Sequence, residues 1–173
     1  MKKKLILFLL LVMFLLVGCE NIQNTPTSKV ESFFANYQKL DSMVLKELDN
    51  TVEKEENLTK EQKEKYKTLF EKQYQNLSYK IVDEEIIENQ AMVNVEIEVF
   101  DYKNAIKKAE EYYVDHQEEF SEDEDYWDYK IKEMQKVVDR INYKITIYLE
   151  KEEGLWEISD LTVDDREKIH GLY

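Results

Sequence analysis

Apolar residues along this chain recur either by threes and fours or by twos, and the switches between these periods divide it into helices and strands. Val30, Phe33, Phe34, Tyr37, Leu40, Val44, Leu45 and Leu48 share one stripe, which predicts a helix of about twenty residues. Ser28, with Glu31 three positions on, has the spacing of a capping box at its start. A second box, Thr59 with Gln62, opens a helix whose stripe is Tyr66, Leu69, Phe70, Tyr74 and Leu77. The period then becomes two. Tyr79, Ile81 and one of Ile86 or Ile87 belong to a strand, and Glu88-Asn89-Gln90 turns the chain. Ala91, Val93, Val95, Ile97 and Val99 are the apolar side of the next strand, opposite Met92, Asn94, Glu96, Glu98 and Phe100. One apolar and one mostly polar side is the mark of an antiparallel sheet covered on a single face.

Helical period returns over residues 102–120 through Ile106, Ala109, Tyr113, His116 and Phe120. Ser121 and Glu124 make a third capping box, before a helix that turns Trp127, Ile131, Met134 and Val138 inward. Ile141, Tyr143, Ile145, Ile147 and Leu149 restore the strand period. Lys151-Glu152-Glu153-Gly154 then reverses the chain, and Leu155 to Leu161 form a last strand. Asp164 to His170 add one or two helical turns, stopped by Gly171 where a left-handed residue is favoured. Two hairpins must share one sheet, because an isolated hairpin is barely stable in water. The expected fold is therefore α+β: N-terminal helices on an antiparallel sheet of about four strands, with a helical insert between two hairpins. No Gly- or Pro-rich seam and no internal repeat interrupts residues 27–173, which read as one domain.

The Val30–Leu48 stripe, the Ala91–Val99 strand and the ending Leu155-Trp156-Glu157-Ile158-Ser159-Asp160-Leu161 together resemble the NTF2-like (cystatin-like) superfamily. The last stretch, with Asp164-Asp165-Arg166-Glu167-Lys168-Ile169 after it, looks like the end of small Firmicute lipoproteins of uncharacterised function. The resemblance implies a sheet curved into a cone around the N-terminal helix. In the superfamily's enzymes, a pocket in that cone holds an acid, a His or a Tyr as proton shuttle. The insert at 102–138 departs from its simplest members and leaves the strand order open.

The N-terminus has a different character. Lys2, Lys3 and Lys4 precede an uncharged run from Leu5 to Val17, followed by Gly18 and the only cysteine, Cys19. Thirteen apolar residues fall short of the roughly 20 that a membrane-crossing helix needs, so residues 1–18 read as a secretory signal. Leu16-Val17-Gly18-Cys19 resembles the bacterial lipobox, which implies cleavage before Cys19 and a diacylglycerol on its thiol. Residues 19–26 then form a lipidated polar tether. The expected location is the outer face of a cell membrane.

Composition sharpens this picture. The formal charge is −14, and loss of the three lysines in residues 1–18 takes it to −17. Nucleic acid and anionic headgroups would repel such a surface, so acyl chains rather than charge must hold it at a membrane. With Cys19 acylated, no disulfide can form. A hydrophobic fraction of 43% with twelve tyrosines argues against disorder. Richness in Lys, Glu, Asn, Ile and Tyr suggests an AT-rich genome, as in many low-GC Gram-positive bacteria.

Candidate chemistry is sparse. His116 falls on the inward stripe of its helix, where a hydrogen-bonded structural role is the commoner one. His170 lies in a final turn, where an imidazolium would meet the negative end of the helix dipole. Neither has HExxH or Glu-x-x-His spacing, no thiol is free for a metal, and no Gly-x-Ser-x-Gly elbow or Gly-rich phosphate loop occurs. Asp83 and Asp160 lie in or beside strands, where one facing a cavity would serve as a base and one facing solvent would not. Glu122-Asp123-Glu124-Asp125 lacks the Gly and distal Glu of an EF-hand loop and suits a solvated helix start. Tyr37, Tyr74, Tyr113, Tyr143 and Trp156 fall on inward faces, either as core or as the lining of a ligand pocket. No catalytic constellation, metal or cofactor is expected. The reading is a lipid-anchored, non-enzymatic binding or interaction module, with a small-molecule binder or degenerate hydrolase/isomerase as the alternative. An acidic surface that takes up basic peptides or cations is a third reading. A homodimer is compatible with all of them.

Overall fold

Residues 24–121 and 123–173 are described by the computed structural model, so residues 1–23, on which the expected signal segment and Cys19 fall, and Glu122 lie outside the described residues. The helices are α1 (Pro26–Gln38), α2 (Ser42–Glu53), α3 (Lys60–Asn76), α4 (Tyr102–Asp115), α5 (Asp123–Gln135) and α6 (Val163–His170). The strands are β1 (Ser78–Ile87), β2 (Gln90–Phe100), β3 (Arg140–Glu152) and β4 (Leu155–Ile158), in a curved antiparallel sheet of order β1-β2-β3-β4. The strand order is thus a simple meander. β2 and β3 pair from Gln90↔Glu150 to Phe100↔Arg140 even though α4 and α5 are inserted between them.

The period-two residues do what their alternation implies. Val93, Val95, Ile97 and Val99 on β2 and Ile145, Ile147 and Leu149 on β3 are all buried. They meet Val30, Phe34, Tyr37, Val44 and Leu48 from the covering helices. Phe34 also stacks on Tyr79 of β1, with ring centroids 4.7 Å apart. A second, smaller cluster of Leu58, Leu69, Phe100, Tyr102, Ile131 and Met134 joins α3 to the insert, and Tyr66 and Leu172 pack against both clusters.

Four boundaries differ from the sequence reading, each for a local reason. The twenty-residue N-terminal helix is two helices, because Leu40 adopts left-handed backbone (φ 53°) and Asp41 caps α2 by accepting from Met43 N at 2.9 Å. The apolar stripe runs through the break, so periodicity alone could not reveal it. α1 starts earlier than expected, with Thr25 and Ser28 forming its capping box and Pro26 in the first turn. The second helix of the insert, α5, ends at Gln135, which leaves Val138 79% exposed rather than inward. Ser121 N and Oγ both donate to Asp125 Oδ2; the side chain of Glu124, its expected partner, lies outside the described residues. The last strand stops at Ile158, leaving Asp160 in exposed coil.

A β-bulge at Val82 settles the choice between Ile86 and Ile87. The register jumps from Ile81↔Val95 to Asp83↔Asn94, so the extra residue turns Glu84 and Ile86 toward the covered side. Glu84 then accepts from Thr27 N and Oγ1, both at 2.8 Å, and places a carboxylate at the positive end of α1.

One buried polar contact joins these parts. Gln73 of α3, fully buried, donates Nε2 to Phe100 O (3.2 Å) and accepts at Oε1 from Phe100 N (2.8 Å). Gly171, left-handed at φ 72°, closes α6 against this contact, and its carbonyl accepts from Lys103 N at the start of α4. A Cβ at Gly171 would collide with Phe100 O and Gln73 Nε2.

Two stability outcomes follow from this packing, both measured by denaturant melts. Trp156→Ala removes a ring that is 5% exposed and should cost about 3–5 kcal/mol; a loss near zero would place the ring outside the core. Gly171→Ala adds left-handed strain of about 1–2 kcal/mol to the collision, so a loss of less than 1 kcal/mol would contradict the packing described here.

Candidate functional site

Tyr37 and Tyr74, two of the five aromatics expected to face inward, stand side by side. Tyr37 comes from the last turn of α1 and Tyr74 from the last turn of α3, and their rings meet edge to face at 4.8 Å. Both rings are buried because α2 folds back across them, placing Val44 and Leu48 over the pair. From α6, His170 shares a 2.8 Å hydrogen bond between its Nε2 and the Tyr74 hydroxyl, and its ring also lies 4.9 Å from that of Phe70. Together they floor a cleft of about 190 Å³ whose rim carries Glu47, Thr51, Val163, Arg166 and Glu167.

The electrostatics of the cleft follow from burial. Desolvation holds the Tyr37 and Tyr74 phenols far above the ordinary tyrosine range; the nearby Glu47 carboxylate adds to both shifts, and Arg166 partly offsets that of Tyr37. Burial also disfavours imidazolium at His170, and the Arg166 guanidinium adds repulsion, so its pKa is pulled down to about 4. At neutral pH the floor is therefore uncharged, and an Arg166–Glu47 pair at 4.0 Å lies at the rim. The imidazolium expected at the end of the last helix is not the form present. Tyr74 takes the place of the dipole interaction. The neutral ring is occupied at Nε2 by its hydrogen bond with the Tyr74 hydroxyl. A neutral floor of two phenols and an imidazole is suited to holding a small molecule with apolar surface and one or two polar atoms.

The other expected site residues lie apart from this cleft. Tyr113 is on the insert, 4.4 Å from Tyr126 and 5.2 Å from Phe120. Tyr143 is on β3, and its hydroxyl donates to Tyr173 O at 2.9 Å. Trp156 is on β4 with Lys151 Nζ 5.4 Å from its ring centroid. Cys19 lies outside the described residues. His116 is not on an inward stripe: it ends α4, half-exposed, with its ring stacked 4.0 Å from Tyr112 and Nδ1 3.0 Å from Tyr112 O. Asp83 is exposed on the outer side of the sheet, accepts from Asn94 Nδ2 at 2.6 Å and borders a surface depression shared with Lys144 and Thr146, apart from the cleft; Asp160 lies in exposed coil. Of the acidic run, Asp125 is held by Ser121, and no group of three or more metal-ligating side chains occurs among the described residues.

Sequence reasoning missed His170, Glu47 and Arg166 as neighbours of the tyrosines. Glu47 arrives with α2 as it folds back over the rings, and His170 and Arg166 arrive with the return of α6 onto α3; neither leaves a local periodic signal. The insert holds a further aromatic group in which Tyr112, Tyr113, Phe120, Tyr126 and Tyr129 are half-buried against one another. Compared with known protein families, curated proteins and solved structures, the chain matches none.

The lowered pKa of His170 has a definite sign. The folded state favours the neutral ring, so this stability is present above the unfolded value of about 6.5 and is lost as pH falls toward about 4. Thermal unfolding of wild type and His170→Gln across that window should show a steeper loss on acidification in wild type. Equal slopes would mean that the ring is not held neutral.

Proposed function

We propose that this chain is a lipid-anchored extracytoplasmic lipoprotein with an NTF2-like body, and that it acts as a non-enzymatic binding or interaction module. The observation that carries the reading is the filled covered face of the sheet. Val30 and Phe34 of α1, with Val93, Val99 and Ile147 of the sheet, are wholly buried in one cluster, where enzymes of the superfamily would keep a pocket. Surface features must then do the work. The insert offers half-buried rings flanked by the exposed Val114, a composition common in protein-contact surfaces. Membrane attachment through a diacylglycerol on Cys19, absence of nucleic-acid binding and an unidentified protein partner are parts of the same proposal. The net charge is what argues against nucleic acid.

The second reading, a small-molecule binder, is favoured by one feature: the cleft over Tyr37, Tyr74 and His170. Native mass spectrometry of the full chain extracted from membranes separates the two. A co-purified small molecule that disappears in Tyr37→Ala would favour the binder, whereas the bare chain or a protein complex would favour the interaction module.

Metabolic labelling with a fatty-acid probe tests the anchor. Wild type should incorporate label and sediment with membranes, and Cys19→Ser should do neither, because two acyl chains supply nearly all of the membrane affinity. Label persisting on Cys19→Ser would refute lipidation at this residue.

A further inference from the structure

The chain enters the fold at one particular end of the sheet. Asn24 Nδ2 donates to Gly154 O at 2.8 Å, and its Oδ1 accepts from Trp156 N at 3.2 Å, clamping the chain to the β3–β4 turn. The next residues are held at the same end. Thr27 bonds Glu84 on β1, and Lys29 pairs with Glu157 on β4 at 2.7 Å. The β1–β2 turn lies there too, because Lys151 N donates to Asn89 O at 2.8 Å. The opposite end of the sheet holds the roots of the insert and the C-terminus. Phe100 pairs with Arg140 where the insert is rooted, Lys103 N donates to Gly171 O, and Tyr143 reaches the C-terminal Tyr173. β3, running from Arg140 to Glu152, separates the two ends by about 40 Å at the usual rise per residue.

Cys19 is five residue steps from Asn24, a reach of at most about 18 Å even when fully extended. That is less than half the length of the sheet. The body also has little reason to lie on its side, since a chain of charge −17 after cleavage is repelled by anionic headgroups. We infer that the protein stands on end at its membrane. The paired turns at Glu88–Asn89 and Glu153–Gly154 face the lipid, and the roots of the insert, the C-terminus and the Tyr74–His170 cleft occupy the half remote from it. This orientation rests on acylation of Cys19. It makes the insert and the cleft, rather than the hairpin turns, the surfaces that a partner or ligand arriving from outside meets first.

The test uses the full chain with one added cysteine, either Glu153→Cys at the entry end or Asn142→Cys at the far end, both exposed positions. Acylation of Cys19 leaves the new thiol alone to carry a donor dye. The protein is reconstituted into vesicles of phosphatidylcholine and phosphatidylglycerol carrying a headgroup-linked acceptor. Energy transfer should be at least about twofold greater from position 153 than from position 142, given a separation of about 36 Å along β3. Equal transfer, or more from position 142, overturns the orientation. Mass measurement of the same samples distinguishes the two ways of failing. An acylated chain with equal transfer removes the orientation and leaves the anchor, and an unacylated chain removes both. Asn24→Ala frees the entry point and should narrow the difference between the two positions. An undiminished difference would overturn the role of the Asn24 clamp.

Discussion

Where β2 leaves the sheet, both backbone groups of Phe100 are paired by one side-chain amide, that of the fully buried Gln73. A strand that ends inside a protein must satisfy its last N–H and C=O or lose about 1–3 kcal/mol for each group left bare. Meeting that demand from α3 fixes the helix to the sheet at one point. Gly171 then packs so closely on the same carbonyl that no side chain is admitted, and its own carbonyl starts α4. Arg140 completes the joint: it bonds Glu98 and the Asn76 carbonyl at the end of α3, and its guanidinium lies 5.0 Å from the centre of the Phe100 ring. The two hydrophobic clusters meet across this joint, and the placement of α6, and so of His170, depends on it.

Much of this architecture is written in the spacing of apolar residues, because burial on one face imposes a period that a reader can count. Ala91 to Val99 and Ile145 to Leu149 are legible for that reason, as is α3 from its Thr59–Gln62 box. What escaped is of another kind. The break at Leu40 leaves the stripe in phase, and the Val82 bulge changes the phase of β1 without changing its composition. Gln73 did leave a trace: it is a polar residue between Phe70 and Tyr74 on an otherwise apolar stripe, a position where a buried amide must find backbone partners. The cleft was half legible. Tyr37 and Tyr74 could be placed inward, but of their company Glu47 comes from α2, and Arg166 and His170 come from α6 at the far end of the chain.

The cleft also shows how a low-dielectric site sets its own chemistry. Three titratable rings meet there, and each is pushed toward its neutral form, the tyrosines upward and the histidine downward. The charged groups stay at the rim, where water screens them. A site arranged in this way discriminates by shape and by hydrogen-bond pairing rather than by charge, although the chain as a whole is strongly acidic.

The geometry of β1 has a consequence for behaviour in a crowd. At ten residues it is long for an edge strand, and an unpaired edge of that length can template the addition of another chain. Here the ladder is interrupted near its middle by the bulge, and Lys80, Asp83, Glu84 and Glu85 set charges along the remainder. A second copy approaching edge to edge would meet a kinked row of donors and acceptors beside like charges. The same bulge that aims Glu84 at α1 thus gives the edge a kink that a second copy would have to match before it could pair.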